Sequence, residues 1–223
     1  GIIGGLTVED LHDGVRLSRP AEPQTGIAKE LTLRLAPDRA ALTLAHELRN
    51  DGPWPVELAP WALTQLPLGG LAILPLPSGP VDPAGLLPNR RLALWSYTSL
   101  ADPRLVLRDP AILIRARAAM PPVKVGYANS LGWLAYWRAG VLFVKRFDYQ
   151  SGTPYPDFGS NAESYCGDRF IELESLGPLT RLEPGQSVRH VETWELYHRW
   201  DVPFLSPALH GLLTAEFKLA GDL

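Results

Sequence analysis

Two glutamates, Glu172 and Glu174, stand in the run Phe170-Ile171-Glu172-Leu173-Glu174-Ser175-Leu176. The run alternates. It predicts a strand with Phe170, Glu172, Glu174 and Leu176 on one face and Ile171, Leu173 and Ser175 on the other. Both carboxylates then leave the same side, about 6.5 Å apart along the chain. Two carboxylates in different surroundings can act as general acid and general base. The bland reading, which the pattern alone favours, is a solvated outer face of an antiparallel sheet. Phe170 and Leu176 shift the balance. An aromatic beside carboxylates suits a sugar, which offers hydroxyls at its edges and C–H groups on its faces.

Other residues join this candidate set. The stretch 148–166 is polar and aromatic and reads as a loop carrying Tyr155, Asn161, Glu163 and Tyr165. Planar polar groups among stacking rings fit a sugar site as well as they fit a plain surface loop. Lys145 shares a strand face with Val141, Phe143 and Phe147, and His190 sits in the β-rich run Ser187 to Tyr197. His46 lies on an apolar strand face and reads as a satisfied core or edge histidine, with no second His or Cys at metal spacing. There is no Gly-rich phosphate loop, no G-x-S-x-G elbow and no H-E-x-x-H. Cys166 lacks a nucleophile's local signature. No cofactor and no metal are expected.

The elements that must position these residues are short strands and turns. Gly14 to Ser18 is a short strand. Glu30 to Leu35 and Ala41 to Arg49 alternate and form a hairpin over Pro37. Val56 to Leu66 is a strand interrupted by Pro60. Residues 68–89 hold five prolines and read as a long connection, either lid-like or a surface excursion. Leu92 to Thr98 is a strand with Trp95 and Tyr97 on one face. Val123 to Tyr127 is another. Trp133 to Trp137 and Val141 to Phe147 form a hairpin with Gly140 at a positive-φ position. Glu183-Pro184-Gly185-Gln186 is a type II turn between the Glu172/Glu174 strand and the strand Ser187 to Tyr197. Ser206-Pro207 caps a C-terminal helix running to about Phe217. Gly1 to Gly5 carries no readable pattern.

At 223 residues the chain is ample for a sizeable core, and all-β sandwiches of this length are often one domain. A net charge of −3 gives no electrostatic footprint for nucleic acid. A single cysteine excludes an intrachain disulfide framework. The sequence shows no run of transmembrane length and no signal peptide; a cytoplasmic protein without a membrane or nucleic-acid partner is expected, with an exported one as the alternative. Dispersed glycine (20) and proline (22) suit many short strands. The oligomeric state is not legible.

FIELESLGPL followed by LEPGQSVRHVETWEL resembles the C-terminal strands of the galactose mutarotase (aldose 1-epimerase) superfamily. There a strand ending in Leu-Glu-Thr is followed by a Pro-Gly turn and a final strand with a Trp. The chain is similar also to an uncharacterised bacterial group on that fold, with runs like GPWPVELAPWALTQ, VLFVKRF and RFIELESLGPL. The resemblance covers about Gly14 to Tyr197. It implies an all-β supersandwich of mostly antiparallel strands, one domain over residues 1–223, and a small-molecule saccharide as partner. It places the family's catalytic base at Glu174, in Leu173-Glu174-Ser175. The family's acid, a His, falls on Trp61 in Pro55-Val56-Glu57-Leu58-Ala59-Pro60-Trp61, and an indole cannot supply a proton at neutral pH. No Gly-Gly-His-type segment precedes Gly14, so the N-terminal strands of the fold are expected to be missing or divergent. Both departures argue against ordinary mutarotase chemistry. Three readings stand: a carbohydrate-binding sandwich using Glu172, Glu174, Trp61 and the Tyr155–Tyr165 stretch; an epimerase-like enzyme with Glu174 as base and Glu172, Lys145 or His190 as its partner; and a structural or interaction domain.

Overall fold

In the computed structural model, residues 2–3, 5–198 and 205–220 are described. The strands in chain order are β1 (Ile2–Ile3), β2 (Leu6–Leu11), β3 (Gly14–Arg19), β4 (Ile27–Leu35), β5 (Ala41–Asn50), β6 (Val56–Leu58) and β7 (Trp61–Pro67). Next come β8 (Leu71–Pro75), β9 (Leu92–Leu94), β10 (Leu105–Leu107), β11 (Ala111–Arg115), β12 (Val123–Tyr127), β13 (Trp133–Arg138) and β14 (Val141–Phe147). A four-residue turn of helix, α1 (Pro156–Gly159), precedes β15 (Ala162–Cys166), β16 (Phe170–Leu176), β17 (Thr180–Leu182) and β18 (Ser187–His198). The helix α2 (Pro207–Ala220) follows. Residues 199–204 lie outside the described residues.

Two sheets carry the all-β fold. The larger has eleven strands in the order β1-β2-β3-β4-β5-β18-β14-β13-β8-β11-β10. The smaller has five, β7-β16-β15-β12-β9, and a two-stranded ribbon joins β17 to β6. The strand pairings are antiparallel. One core lies between the sheets, where Ala72, Leu74, Ile112, Ile114 and Leu134 of the large sheet meet Val123, Val125, Ile171 and Leu173 of the small one. A second core lies on the other side of the large sheet, where Leu71, Ile73, Leu113, Leu142 and Val144 pack with Leu205, Leu209 and Leu213 of the C-terminal segment and helix. The cap of α2 is as expected: Ser206 Oγ accepts from the Leu209 N–H at 3.2 Å. Among the described residues no helix is long and apolar enough to cross a membrane.

Both expected hairpins form, β4 with β5 and β13 with β14. The Glu183–Gln186 turn closes with Gln186 N–H on Glu183 O at 3.0 Å and Gly185 at φ 83°. Other expectations need correction. The connection 68–89 contains β8, a wholly buried strand of the large sheet. Its alternate side chains enter the two cores, so it shows a continuous apolar run instead of alternation. The stretch 148–166 is not all loop, since it ends in β15, a central strand of the small sheet. The strand Val56 to Leu66 divides at Pro60 into β6 and β7, which belong to different sheets. β9 stops at Leu94, so Trp95 and Tyr97 sit beyond its end, in a turn closed by Thr98 N–H on Trp95 O at 2.8 Å. β16 and β18 do not pair; they lie in different sheets.

Candidate functional site

The register of the small sheet gathers the site. Glu174 lies opposite Leu63 on β7 and Glu163 on β15, and Glu172 lies opposite Gln65 and Tyr165. Tyr165 in turn faces Lys124 on β12, and Glu163 faces Gly126. Strand alternation therefore puts Trp61, Gln65, Glu172, Glu174, Glu163, Tyr165 and Lys124 on one side, away from the inter-sheet core. Glycine at 126 gives Glu163 its room: a Cβ there would come within 2.8 Å of Ser160 Oγ and 3.3 Å of Glu163 Cγ. Beside this point Asp157, Phe158 and Gly159 are all left-handed, at φ 48°, 59° and 84°. For two non-glycine residues that is strain of about 1–3 kcal/mol each, and such strain concentrates at functional sites.

The side chains close into one charge cluster. Lys124 Nζ donates to Glu174 Oε2 at 2.9 Å and lies 2.8 Å from Glu163 Oε2. Trp61 Nε1–H also donates to Glu174 Oε2, at 2.8 Å, and Gln65 Nε2–H donates to Glu172 Oε1 at 2.9 Å. The ammonium sits 5.1 Å from the Trp61 ring centroid and 4.6 Å from that of Trp95. Glu163 and Glu174 are 0% exposed, whereas Trp61 is 53% exposed.

Burial, reinforced by Glu174 and Asp157 and opposed by Lys124, pushes the Glu163 carboxyl up to about 8. Burial works against the charge on Lys124, but the Glu163 and Glu174 carboxylates outweigh it and raise the ammonium. At neutral pH the cluster thus holds a protonated Glu163 beside Lys124 and the lysine-paired Glu174. Environments that differ in this way separate an acid from a base.

Four of the residues singled out from the sequence lie elsewhere. Lys145 and His190 point into the space between the sheets. Lys145 Nζ donates to Ala62 O (2.8 Å), Thr64 Oγ1 (3.1 Å) and Leu173 O (3.1 Å), and pairs with Glu192 Oε1 at 2.6 Å. Ser175 gives its one proton to Glu192 Oε1, so His190 Nε2–H donates to Ser175 Oγ at 2.7 Å. His46 Nε2 lies 3.4 Å from Glu192 Oε2, which also accepts from Trp194 Nε1–H at 3.3 Å. Burial raises Glu192, but these donors overcome it and bring the carboxyl down to about 2. Burial, with Lys145 and His46 beside it, lowers His190 to about 4. Burial also lowers Lys145, although Glu192 opposes it.

Asn161 is buried and braces Asn129, accepting from its N–H at 2.6 Å and donating to its carbonyl at 3.0 Å. The Tyr155 hydroxyl accepts from Gln150 N–H at 2.9 Å, and its ring stacks on Tyr149 at 5.8 Å. A cleft of about 460 Å³ opens between β7 and strands β3 to β5, lined by Leu17, Leu31, His46, Leu48 and His190, with Trp61 at its border. Among the described residues no three His, Cys, Asp or Glu side chains group to hold a metal.

Sequence reasoning missed Lys124, Gln65 and Glu192. Lys124 carried one usable signal: it is the only charged residue in an otherwise apolar predicted strand, Val123 to Tyr127.

No family model matches the chain, and no curated protein matches it in sequence. Solved structures do match. A candidate aldose 1-epimerase from Escherichia coli K12 superposes with a TM-score of 0.57 at 12% identity, over 86% of this chain and 68% of its own. A galactose mutarotase-like protein from Lactobacillus casei ATCC 334 gives 0.51 at 13% identity, over 86% of this chain and 73% of its own. A TPR-domain-containing protein from Parabacteroides distasonis gives 0.55 at 15% identity, over 92% of this chain. The chain spans only 36% of the length of that last protein. The chain has the galactose mutarotase-like β-sandwich fold.

Proposed function

We propose that the protein binds a saccharide on the outer face of the small sheet, over Trp61, Trp95, Tyr97 and the Glu163/Glu172/Glu174 cluster. The observation that carries this reading is Trp61. Its ring is 53% exposed while its N–H is fixed on a buried carboxylate, which gives a rigid apolar platform next to polar acceptors. Tyr97 is 36% exposed nearby and adds a second ring. The fold shared with a candidate aldose 1-epimerase and a galactose mutarotase-like protein supports a sugar ligand. Calorimetric titration with neutral and charged monosaccharides tests it. Binding is expected for wild type and is expected to weaken at least about tenfold in Trp61→Ala, a loss of about 1.4 kcal/mol.

A second reading is favoured by the Glu163/Glu174 pair. A protonated Glu163 and the lysine-paired Glu174 on neighbouring strands set an acid beside a candidate base for proton exchange on a bound sugar. NMR exchange between anomers of a bound sugar measures this. Glu174→Gln is expected to abolish any acceleration, and acceleration retained in that variant excludes Glu174 as the base.

A further inference from the structure

We propose that the saccharide bound on this face carries a protonated primary amine: an amino sugar, not a neutral hexose or a uronic acid. This rests on the saccharide reading above and names the ligand class for the same site.

The charges that face the cluster come from four elements. β16 supplies Glu172 and Glu174, β15 supplies Glu163, β12 supplies Lys124, and Asp157 of α1 reaches Glu163. Among the described residues Lys124 is the one cation on the face. Arg91 is at the rim, donating to Phe158 O at 3.1 Å, and Arg169 lies 6.0 Å from the Phe170 ring centroid. The carboxylates outnumber the ammonium even with Glu163 protonated.

Unused acceptors give the independent observation. Glu163 Oε1 and Glu174 Oε1 have no hydrogen-bond partner, although both side chains are fully buried and the other oxygen of each is held by Lys124. A buried carboxylate oxygen without a donor is costly, and a charged donor relieves it best. Lys124 shows which chemistry the face accepts: a primary ammonium held between the side-chain oxygens of Glu174 and Glu163 and by the Trp61 and Trp95 rings. A ligand ammonium repeats that arrangement from the open side, where Glu172 is 9% exposed and keeps its second oxygen clear of the Gln65 hydrogen bond. A uronate carboxylate in the same place meets the Glu172 carboxylate, while the one ammonium of the cluster, Lys124, is already held by Glu174 and Glu163.

Calorimetric titration at about pH 6.5, where a sugar amine is protonated, separates the possibilities. The probes are glucosamine, N-acetylglucosamine, glucose and glucuronate, with the galacto counterparts. An amino sugar is expected to bind at least about tenfold tighter than its N-acetyl and parent forms, with no uronate binding. Glu172→Gln, which retains an oxygen for Gln65, is expected to bring that preference within about twofold. Equal or tighter binding of a neutral sugar or a uronate, or a preference unchanged in Glu172→Gln, overturns the inference and leaves the saccharide reading standing. Failure of every probe to bind removes both.

Discussion

Trp61 Nε1–H donates to Glu174 Oε2 at 2.8 Å, across the pair of strands at the edge of the small sheet. The same oxygen accepts from Lys124 Nζ at 2.9 Å. One carboxylate therefore fixes both the exposed ring and the buried cation, and the platform and the charge cluster form a single unit.

Removing the cation should unsettle that unit. Lys124→Met leaves the fully buried Glu174 without its counter-charge, which costs about 3–5 kcal/mol. The loss should be larger at alkaline pH, above about 8, where Glu163 also ionises and is left without its counter-charge. Urea unfolding of wild type and variant at acid and alkaline pH measures it; equal loss at both shows that the charge pairing does not hold the cluster.

Glu163 gives the wild type a pH signature. Its carboxyl sits at about 8 in the folded protein against an ordinary 4.5, so its contribution is complete below 4.5 and is lost as pH rises through 8. His190 acts in the opposite sense. Lowered to about 4 from 6.5, it adds stability as pH rises through that interval, under the influence of Glu192, His46, Lys145 and Asp148. The two largely offset one another between 4.5 and 6.5; between 6.5 and 8 the Glu163 contribution is still being lost after that of His190 has ended, and the burial of Lys145 acts in the opposite sense. Stability should fall there by up to about 1.4 kcal/mol per pH unit. Glu163→Gln should flatten the decline in urea unfolding; an unchanged decline assigns it to another group.

The inter-sheet network should behave as structure. Glu192→Gln strands the ammonium of Lys145, which is 0% exposed, at a cost of about 3–5 kcal/mol. Sugar affinity of the folded variant should stay within about twofold of wild type. A larger change in affinity would place Lys145 and Glu192 in the binding machinery.

Much of the fold was legible where one face of a strand meets core and the other meets solvent. β4, β5 and β14 show this alternation, and β16 alternates in residue type although its outward carboxylates are buried; Gly140 marks the turn into β14 and Pro184-Gly185 the turn into β18. β8 was hidden because both of its faces are buried, within a stretch crowded with proline. β15 was hidden for the opposite reason. Glu163 and Tyr165 serve the site, so the strand carries the polarity of a loop. The Glu172/Glu174 pair was visible because both partners are on one strand. The contacts of Lys124 with Glu163 and Glu174 depend on the order β16-β15-β12, which no local pattern encodes. Nothing in the sequence beside Lys145 (Val144, Arg146) or His190 (Arg189, Val191) marks their partners, and only the approach of β16 shows that they meet Leu173 O and Ser175.

A thermal-shift screen of wild type and Trp61→Ala against monosaccharides tests the central claim most directly. A saccharide at about 100 times its dissociation constant adds roughly 2.7 kcal/mol, a rise of about 5–10 °C for a chain of this size. The account predicts such a rise in wild type and its loss in Trp61→Ala. No rise with any saccharide, or an equal rise in both proteins, contradicts a sugar site built on Trp61 and Glu174.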